Sequence, residues 1–559
     1  MIFSKRVARL LGAASLTAVL AVSACTGSGQ ETGDDDTAGE GVILQAYGGA
    51  SGQFVENYNP LSPTVLEAIR GMVYESLFYF NPLQPLSAKP EPLLGESYVV
   101  NEDGTVVDVT IKTGVTWSDG EPFTAEDVAF TYNTVRDNPE LNTTGNGPAA
   151  EVTGENTVRL SFDRPAFPDV PNVLAVSIVP EHIFSEMENV VIDPNLEPVG
   201  TGPMVLGEFT AQSYLLEKND SYRNAEDVAV PGVRYFSLSG NQAATDKLLA
   251  GELDMAGIAI PDVETVLAPY EDLHILTTTF QQVVLTTCSD EEMGCEGPQT
   301  DPTVRQAMAL AIDREQINQL AYYGRGLEIS PTFGVVGRDD EQISDEFPPM
   351  SMEPDVAGAK ELLEDAGWEL GSDGVYAKDG ERLSFDVIVT SGYTDYISTL
   401  DILKQQLAEA GIEINPQQQA NAEILSARSQ GNFQVAIDGI FGGPTADLYY
   451  IYNNNFSSAQ AAPVGENGNP YGNVSKFSDP TVDAAIQAAA ATQDPAEKVR
   501  LYGEIQDVIV PAMPYIPLIN NQGFGTYSTA NYTGWPTEED PYVQDFSIGL
   551  LLERLEPVN

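Results

Sequence analysis

Histidine and cysteine are nearly missing from this chain, which holds two of the first and three of the second among 559 residues. A Ser-His-Asp or Cys-His catalyst would have to recruit His182 or His274. Both lie between apolar neighbours, in SIVPEHIF and EDLHILTTT, as packed residues do. No Cys/His zinc spacing, phosphate loop or dinucleotide fingerprint occurs, so no cofactor and no resident metal are expected. Direct nickel ligation wants more imidazole than this; a metal could be carried only as a chelate. Basic residues are scarce as well: 26 Lys and Arg stand against 83 Asp and Glu, a net charge of −57. Nucleic acid is thereby excluded as a partner, because phosphate contacts need a basic surface. The acids form no cluster that marks a site and read as a solvated, highly soluble surface. Their abundance leaves open a secreted hydrolase working with paired carboxylates, but nothing singles out a pair.

What is present begins at the first residues. Lys5, Arg6 and Arg9 precede an uncharged run over 10–22. A basic start and an apolar stretch of about 7–15 residues describe an export signal, too short for a membrane-spanning helix. The run closes on Val22-Ser23-Ala24-Cys25, which resembles the lipobox of bacterial lipoproteins. That resemblance implies removal of residues 1–24, diacylglycerol on the Cys25 sulfur and an anchor at the outer face of the membrane; plain secretion with an incidental cysteine is the alternative. Residues 25–40, rich in Gly, Ser, Thr and acids, read as a flexible tether. No later run is long and apolar enough to span a bilayer. The mature chain is thus expected outside the cytoplasm, extracellular or periplasmic, anchored rather than embedded. Cys288 and Cys295 remain, in TTCSDEEMGCEG. In an exported chain a disulfide is the natural reading, and two free thiols the alternative.

The length exceeds what one hydrophobic core supports, so two or three domains are expected, and 42% apolar content suffices to fill them. Apolar spacing switches repeatedly between strand and helix periods. TVVDVTI (105–111) alternates as a half-buried strand does. DPTVRQAMALAIDR starts with Asp301 as N-cap and Pro302 at the first helical position, and Val304, Met308, Ala311 and Ile312 share a face. EPDVAGAKELLEDAGW carries the stripe Val356, Ala359, Leu363, Ala366 and stops at Gly367. LSFDVIVT, a helix over 395–410, Gly411 and IEI form a strand-helix-strand unit, which builds parallel or mixed sheets. Loops 324–349 and 459–479 read as surface connections. Trp117-Ser118-Asp119-Gly120 reads as a tight turn, with Thr124 as an N-cap soon after it.

Six stretches, in order, resemble one family: the extracellular solute-binding proteins of ABC importers in the peptide/nickel class, family 5. They are EPLLGESYVVNEDGTVVDVTIKTGVTWSDGEPFTAEDVAFTYN (91–133), PVGTGPMVLGEF (198–209), LLAGELDMAG (248–257), DPTVRQAMALAIDRE (301–315), DVAGAKELLEDAGW (355–368) and RLYGEIQDVIVPAMPYIPL (500–518). The resemblance spans residues 41–544. It implies an α/β, two-lobed periplasmic-binding-protein-like fold with an extra subdomain, mixed sheets covered by helices, and two strands crossing between lobes. Ligand would bind in the cleft without covalent chemistry, a monomer would deliver it to permease subunits driven by cytoplasmic ATPases, and hinge closure would bury it. By motif order, lobe one collects 41–81, 189–278 and 521–559, a subdomain of 82–188 packs on it, and lobe two is 279–520. Arg305 and Arg314 are expected on one helix as structural ion-pair partners, and Trp117 in the core. A sensor lipoprotein that reports its ligand without transport would look the same.

Peptide binders of the family present an acid to the peptide ammonium within Gly-Trp-x-x-Asp. Here AIDGIFGGPTADLYYIYNNN (436–455) puts Ile440 at the tryptophan's place and Gly443 at the acid's. In the alternative, oligopeptide reading, Asp438 or Asp447 takes the ammonium from a shifted position. The same stretch, and residues 54–83, are similar to members that bind β-linked oligosaccharides. Sugars want flat aromatic faces with amide and hydroxyl partners rather than a buried counter-charge. The candidate ligand contacts are Tyr47, Asn57, Asn59, Gln281, Gln282, Asp438, Phe441, Gly442, Gly443, Asp447, Tyr449 and Tyr450.

Overall fold

Two strands far longer than the usual five or six residues organise the molecule. Leu273–Thr287 has 15 residues and Tyr515–Ser528 has 14. The computed structural model describes residues 41–49, 53–62, 64–138, 140–141, 147–258 and 260–558. The signal (1–24), the lipidation site Cys25 and the tether (25–40) lie outside the described residues. Among the described residues no helix is long and apolar enough to cross a membrane.

The two long strands run antiparallel, from Leu273 opposite Ser528 to Thr286 opposite Tyr515. They sit at the middle of a ten-stranded mixed sheet. On one side follow Val435–Phe441, Ser384–Thr390 and Glu413–Gln419; on the other follow Met255–Ala256, Leu44–Gly49, Gly232–Ser237, Ser213–Lys218 and Met204–Phe209. Along the first long strand, Val435–Phe441 pairs only with residues 281–287, and along the second, Met255–Ala256 reaches only Thr526 and Tyr527. Between those contacts, residues 277–280 and 522–524 pair with nothing but each other. The sheet therefore narrows to a two-stranded strap.

Apolar side chains collect on either side of the strap. One core holds Leu44, Tyr58, Trp117, Tyr132, Leu216, Tyr235 and Leu552. It also receives the inward residues Val107, Val109 and Ile111 of a four-stranded antiparallel sheet, whose strand Val106–Ile111 alternates as its sequence does. The other side holds two adjoining cores, one around Val283, Met308, Leu363, Leu400 and Ile437, the other around Phe333, Tyr452, Phe456 and Tyr502. Thr124 precedes the helix Ala125–Asp137, where Asp127 accepts from Thr124 N at 2.9 Å and from the indole of the fully buried Trp117 at 3.4 Å. The helix Val356–Asp365 stops before Gly367, whose φ of +86° suits only glycine without strain. Ser384–Thr390, the helix Thr394–Glu409 and Glu413–Gln419 form the expected parallel unit. Cys288 and Cys295 are joined in a disulfide with Cα atoms 5.4 Å apart.

Two expectations are corrected. The helix begun at Asp301 ends at Ala311, because Ile312 is extended and Asp313 caps a new helix, Arg314–Ala321, by accepting from Gln316 N at 2.8 Å. Arg305 and Arg314 thus lie on different helices, and neither makes its hydrogen bonds to acids. Arg305 donates to the carbonyls of Gln299, Thr300 and Ala512, and Arg314 to those of Ala309, Ser351 and Pro517. Nor are the two long loops superficial throughout. Ser330, Phe333, Asp339, Asn473 and Ser475 are all buried. These loops satisfy their own backbone: Asp339 accepts from Val335 N at 2.9 Å, and Asn473 donates to Ser457 O at 3.0 Å and to Phe477 O at 2.7 Å.

Candidate functional site

In parallel α/β sheets ligands bind outside the carboxyl ends of the strands. Ser384–Thr390 is parallel to both Glu413–Gln419 and Val435–Phe441, so Thr390, Gln419 and Phe441 end on one side. The helices Thr394–Glu409 and Asn421–Gln430 start beside those ends. Across the strap, Leu44–Gly49 is parallel to Gly232–Ser237 and to Met255–Ala256. Its carboxyl end, Tyr47-Gly48-Gly49, lines a cavity of about 210 Å³ together with Glu67, Tyr235, Gly257, Gly525, Asp545 and Phe546.

The lobe-two wall is aromatic and amide-bearing. Phe441 is 59% exposed and stands opposite Gln281 in register. Gln281 Nε2 donates to the Tyr396 hydroxyl at 2.9 Å. Gly439 leaves room for that amide, since a Cβ there would lie 2.3 Å from it. Burial pushes the Tyr396 phenol well above its ordinary range, so it stays a neutral donor and acceptor. Tyr393, half exposed, packs edge-on against Tyr396 at 5.8 Å.

From Phe441 the chain reaches toward the other half. Gly443 and Pro444 border a cavity of about 480 Å³ with Leu61, Phe78, Phe80 and Val176. Thr445 and Ala446 border another, of about 260 Å³, with Tyr79, Asn81 and Tyr542. Further contacts join the same bodies. The Tyr450 hydroxyl donates to Pro168 O at 2.6 Å, Arg338 Nη1 to Pro82 O at 2.9 Å and Arg325 Nη1 to Glu264 Oε1 at 2.5 Å.

The predicted contacts divide accordingly. Tyr47 lines the lobe-one cavity, Gln281, Phe441 and Gly442 lie at the lobe-two strand end, Gly443 borders the largest of these cavities, and Tyr449 is half-buried beside Tyr450. In the other six, the side chain is engaged within the fold. Asn57 donates to Ser62 Oγ and Thr64 Oγ1, and accepts from Asn59 N. Asn59, fully buried, donates to Val190 O and Asp193 O. Gln282 donates to Phe333 O from inside lobe two. Asp447 is buried against Lys498 and Tyr502, and Tyr450 is turned to Pro168. Asp438 is tied to Arg428, which leaves it no free charge for a ligand ammonium. Gly443 cannot be replaced by an acid in place: a Cβ there would lie 2.1 Å from the Tyr450 ring. Sequence reasoning missed Glu67, Tyr393, Tyr396 and Asp545. No local pattern marks them, because they meet only through the fold.

The family model for bacterial extracellular solute-binding proteins, family 5 (middle), matches residues 89–462. Protein XP55 of Streptomyces lividans is 28% identical over 419 residues, 74% of this chain and 72% of that protein. The glutathione-binding protein GsiB of Escherichia coli is 23% identical over 495 residues, 86% and 90% of the two chains. The structure of a periplasmic oligopeptide-binding protein of an oligopeptide ABC transporter from Thermotoga maritima superposes with a TM-score of 0.81 at 22% identity, covering 93% of this chain and 99% of that one. Its mannohexaose-bound form scores 0.73 at 22% identity, with the same coverage. The Escherichia coli relative and both Thermotoga maritima structures are named as binding proteins. The chain therefore belongs to family 5 of the bacterial extracellular solute-binding proteins, which serve ABC importers.

Proposed function

We propose that this protein captures an oligomeric solute, in first place a β-linked oligosaccharide, and passes it to an ABC permease. Closure would bring the bodies 41–81 with 189–278 and 521–559, the subdomain 82–188, and the body 279–520 together around the strap as a monomer. The observation that carries the sugar reading is the exposed Phe441 ring beside the Gln281–Tyr396 amide and phenol, at the carboxyl ends of a parallel sheet. A flat apolar face flanked by neutral donors and acceptors suits a sugar ring. At residue 443 no acid can hold a peptide ammonium, since the Tyr450 ring occupies the space there. A relative solved with mannohexaose supports the same preference. The names of the glutathione- and oligopeptide-binding relatives favour the alternative, a peptide ligand.

A thermal-shift screen of cello-, xylo- and manno-oligosaccharides against tri- to pentapeptides separates the two. Binding to the native state raises stability by RT ln(1+[L]/Kd), so one sugar series should raise the melting temperature. Phe441→Ala should weaken that sugar about tenfold, the loss of one stacking face, with the unliganded melting temperature unchanged. Shifts with peptides alone would reverse the preference. The Cys25 anchor is tested separately: a Cys25→Ser chain should leave the membrane fraction, and retention there would refute lipidation.

A further inference from the structure

Four recessed carboxylates of this chain face a base: Glu75 meets Arg223, Asp339 meets Arg338, Asp438 meets Arg428 and Asp447 meets Lys498. Glu67 and Asp545, both exposed, have no base beside them among the described residues. Both line the lobe-one cavity, and among the described residues neither has an ion-pair partner. Ser547 gathers them: its hydroxyl donates to Glu67 Oε1 at 2.7 Å and its backbone N to Asp545 Oδ1 at 2.8 Å. Glu67 and Asp545 are both exposed to water where they border the cavity. Partial loss of hydration, with Glu67 adding to it, holds the Asp545 carboxyl above the usual range. Two like charges set together at such a place are unfavourable until a cation joins them.

The rest of the cavity suits that cation. Tyr47, Tyr235 and Phe546 contribute aromatic rings, whose faces attract ammonium groups. Gly48, Gly49, Gly257 and Gly525 bring backbone close without side chains in the way. A volume of about 210 Å³ admits an amino group and the few atoms that carry it, not a whole oligomer.

Resting on the reading that solute binds between the lobes, we propose that the cavity beside Glu67 and Asp545 seats a cationic amino group of the ligand. The charge is read from lobe one, while lobe two, with residue 443 blocked by Tyr450, presents its aromatic and amide wall to the neutral remainder. An amino sugar and a peptide N-terminus both supply such a group, and the test distinguishes them.

Calorimetric titration of the whole mature protein would compare a β-linked glucosamine tetramer with its N-acetylated counterpart, and tetra-alanine with N-acetyl-tetra-alanine. In one of the two series the free amine should bind at least about tenfold tighter. The double substitution Glu67→Gln with Asp545→Asn should erase that preference while leaving the acetylated member unchanged. Both replacements are isosteric and keep an acceptor for Ser547, and an unaltered melting temperature verifies the fold. Spermidine supplies the amino group alone. It should raise the wild-type melting temperature more than that of the double variant, whose remaining acidic surface is the same. Equal affinity for free and acetylated members, or a preference that survives the double substitution, overturns the proposal; so do equal spermidine shifts. Neutral oligosaccharides that bind with no gain from an amine would sink this inference and leave the proposed function standing. Discrimination of spermidine with no oligomer bound would do the reverse.

Discussion

Arg314→Met should lower stability by roughly 3–5 kcal/mol, although the residue touches no ligand and no carboxylate hydrogen-bonds it. Its guanidinium is 1% exposed. Nε and Nη2 donate to Pro517 O at 3.0 and 2.7 Å, and Nη1 to Ala309 O at 3.2 Å and Ser351 O at 3.1 Å. One planar fork thus ties two helices and a loop to a long central strand, just where that strand slips register opposite Val283 and Val284. The charge is held against its desolvation, which pulls its pKa down to about 9. Removing the side chain takes its donors from three carbonyls, two of them buried, each at a cost of about 1–3 kcal/mol, less what an apolar replacement regains. Lysine would not rescue, having a point charge in place of a fork. Urea denaturation followed by near-ultraviolet circular dichroism reads the change. A loss below about 1 kcal/mol would show that water replaces the fork at no cost.

Asp447→Ala carries the second large effect, roughly 3–4 kcal/mol. The carboxylate is 6% exposed and accepts from Lys498 Nζ at 2.6 Å, from Tyr449 N at 3.0 Å and from the Tyr502 hydroxyl. Burial, reinforced by the Asp447 charge, drives the Tyr502 phenol far above its ordinary range, so it remains protonated and donating. Without Asp447 the Lys498 ammonium, whose side chain is 14% exposed, would be left inside protein with no partner. The same urea titration measures the loss. Asp447→Asn separates structure from recognition: whatever solute the screen identifies should keep its affinity within about twofold once the variant is folded. A tenfold weakening would restore Asp447 to the binding wall.

Asp447 also shows where sequence stops informing. In PTADLYY it stands two residues before an aromatic pair, and nothing local says whether its charge meets a ligand or Lys498, 51 residues away. Elements with their own periodicity and caps were legible: Asp301 with Pro302, the Val356 stripe ending at Gly367, and the alternation of Val107, Val109 and Ile111. The break at Ile312 was less so, because Asp313 is both a plausible helical residue and an N-cap, and packing chose the second. Loops 324–349 and 459–479 misled because polar composition suggests exposure, while their Asn, Ser and Asp side chains serve the loops' own backbone. The candidate site was half legible for a related reason. Gln281, Phe441 and Tyr47 sit at strand ends that pattern can locate, whereas Glu67 and Asp545 come from segments nearly the whole chain apart, joined only through Ser547.

The strap at residues 277–280 and 522–524 bears on energetics beyond the cleft itself. Most of the apolar cores lie to either side, and of the strap only Phe524 is seen to pack against one among the described residues, so bending there disturbs little of them. Closure of the proposed kind would then cost a handful of backbone torsions, the drying of facing walls and the rearrangement of contacts such as Tyr450 to Pro168. When that gap is only a few kcal/mol, a solute of micromolar affinity, worth about 8 kcal/mol, has ample surplus to tip the population.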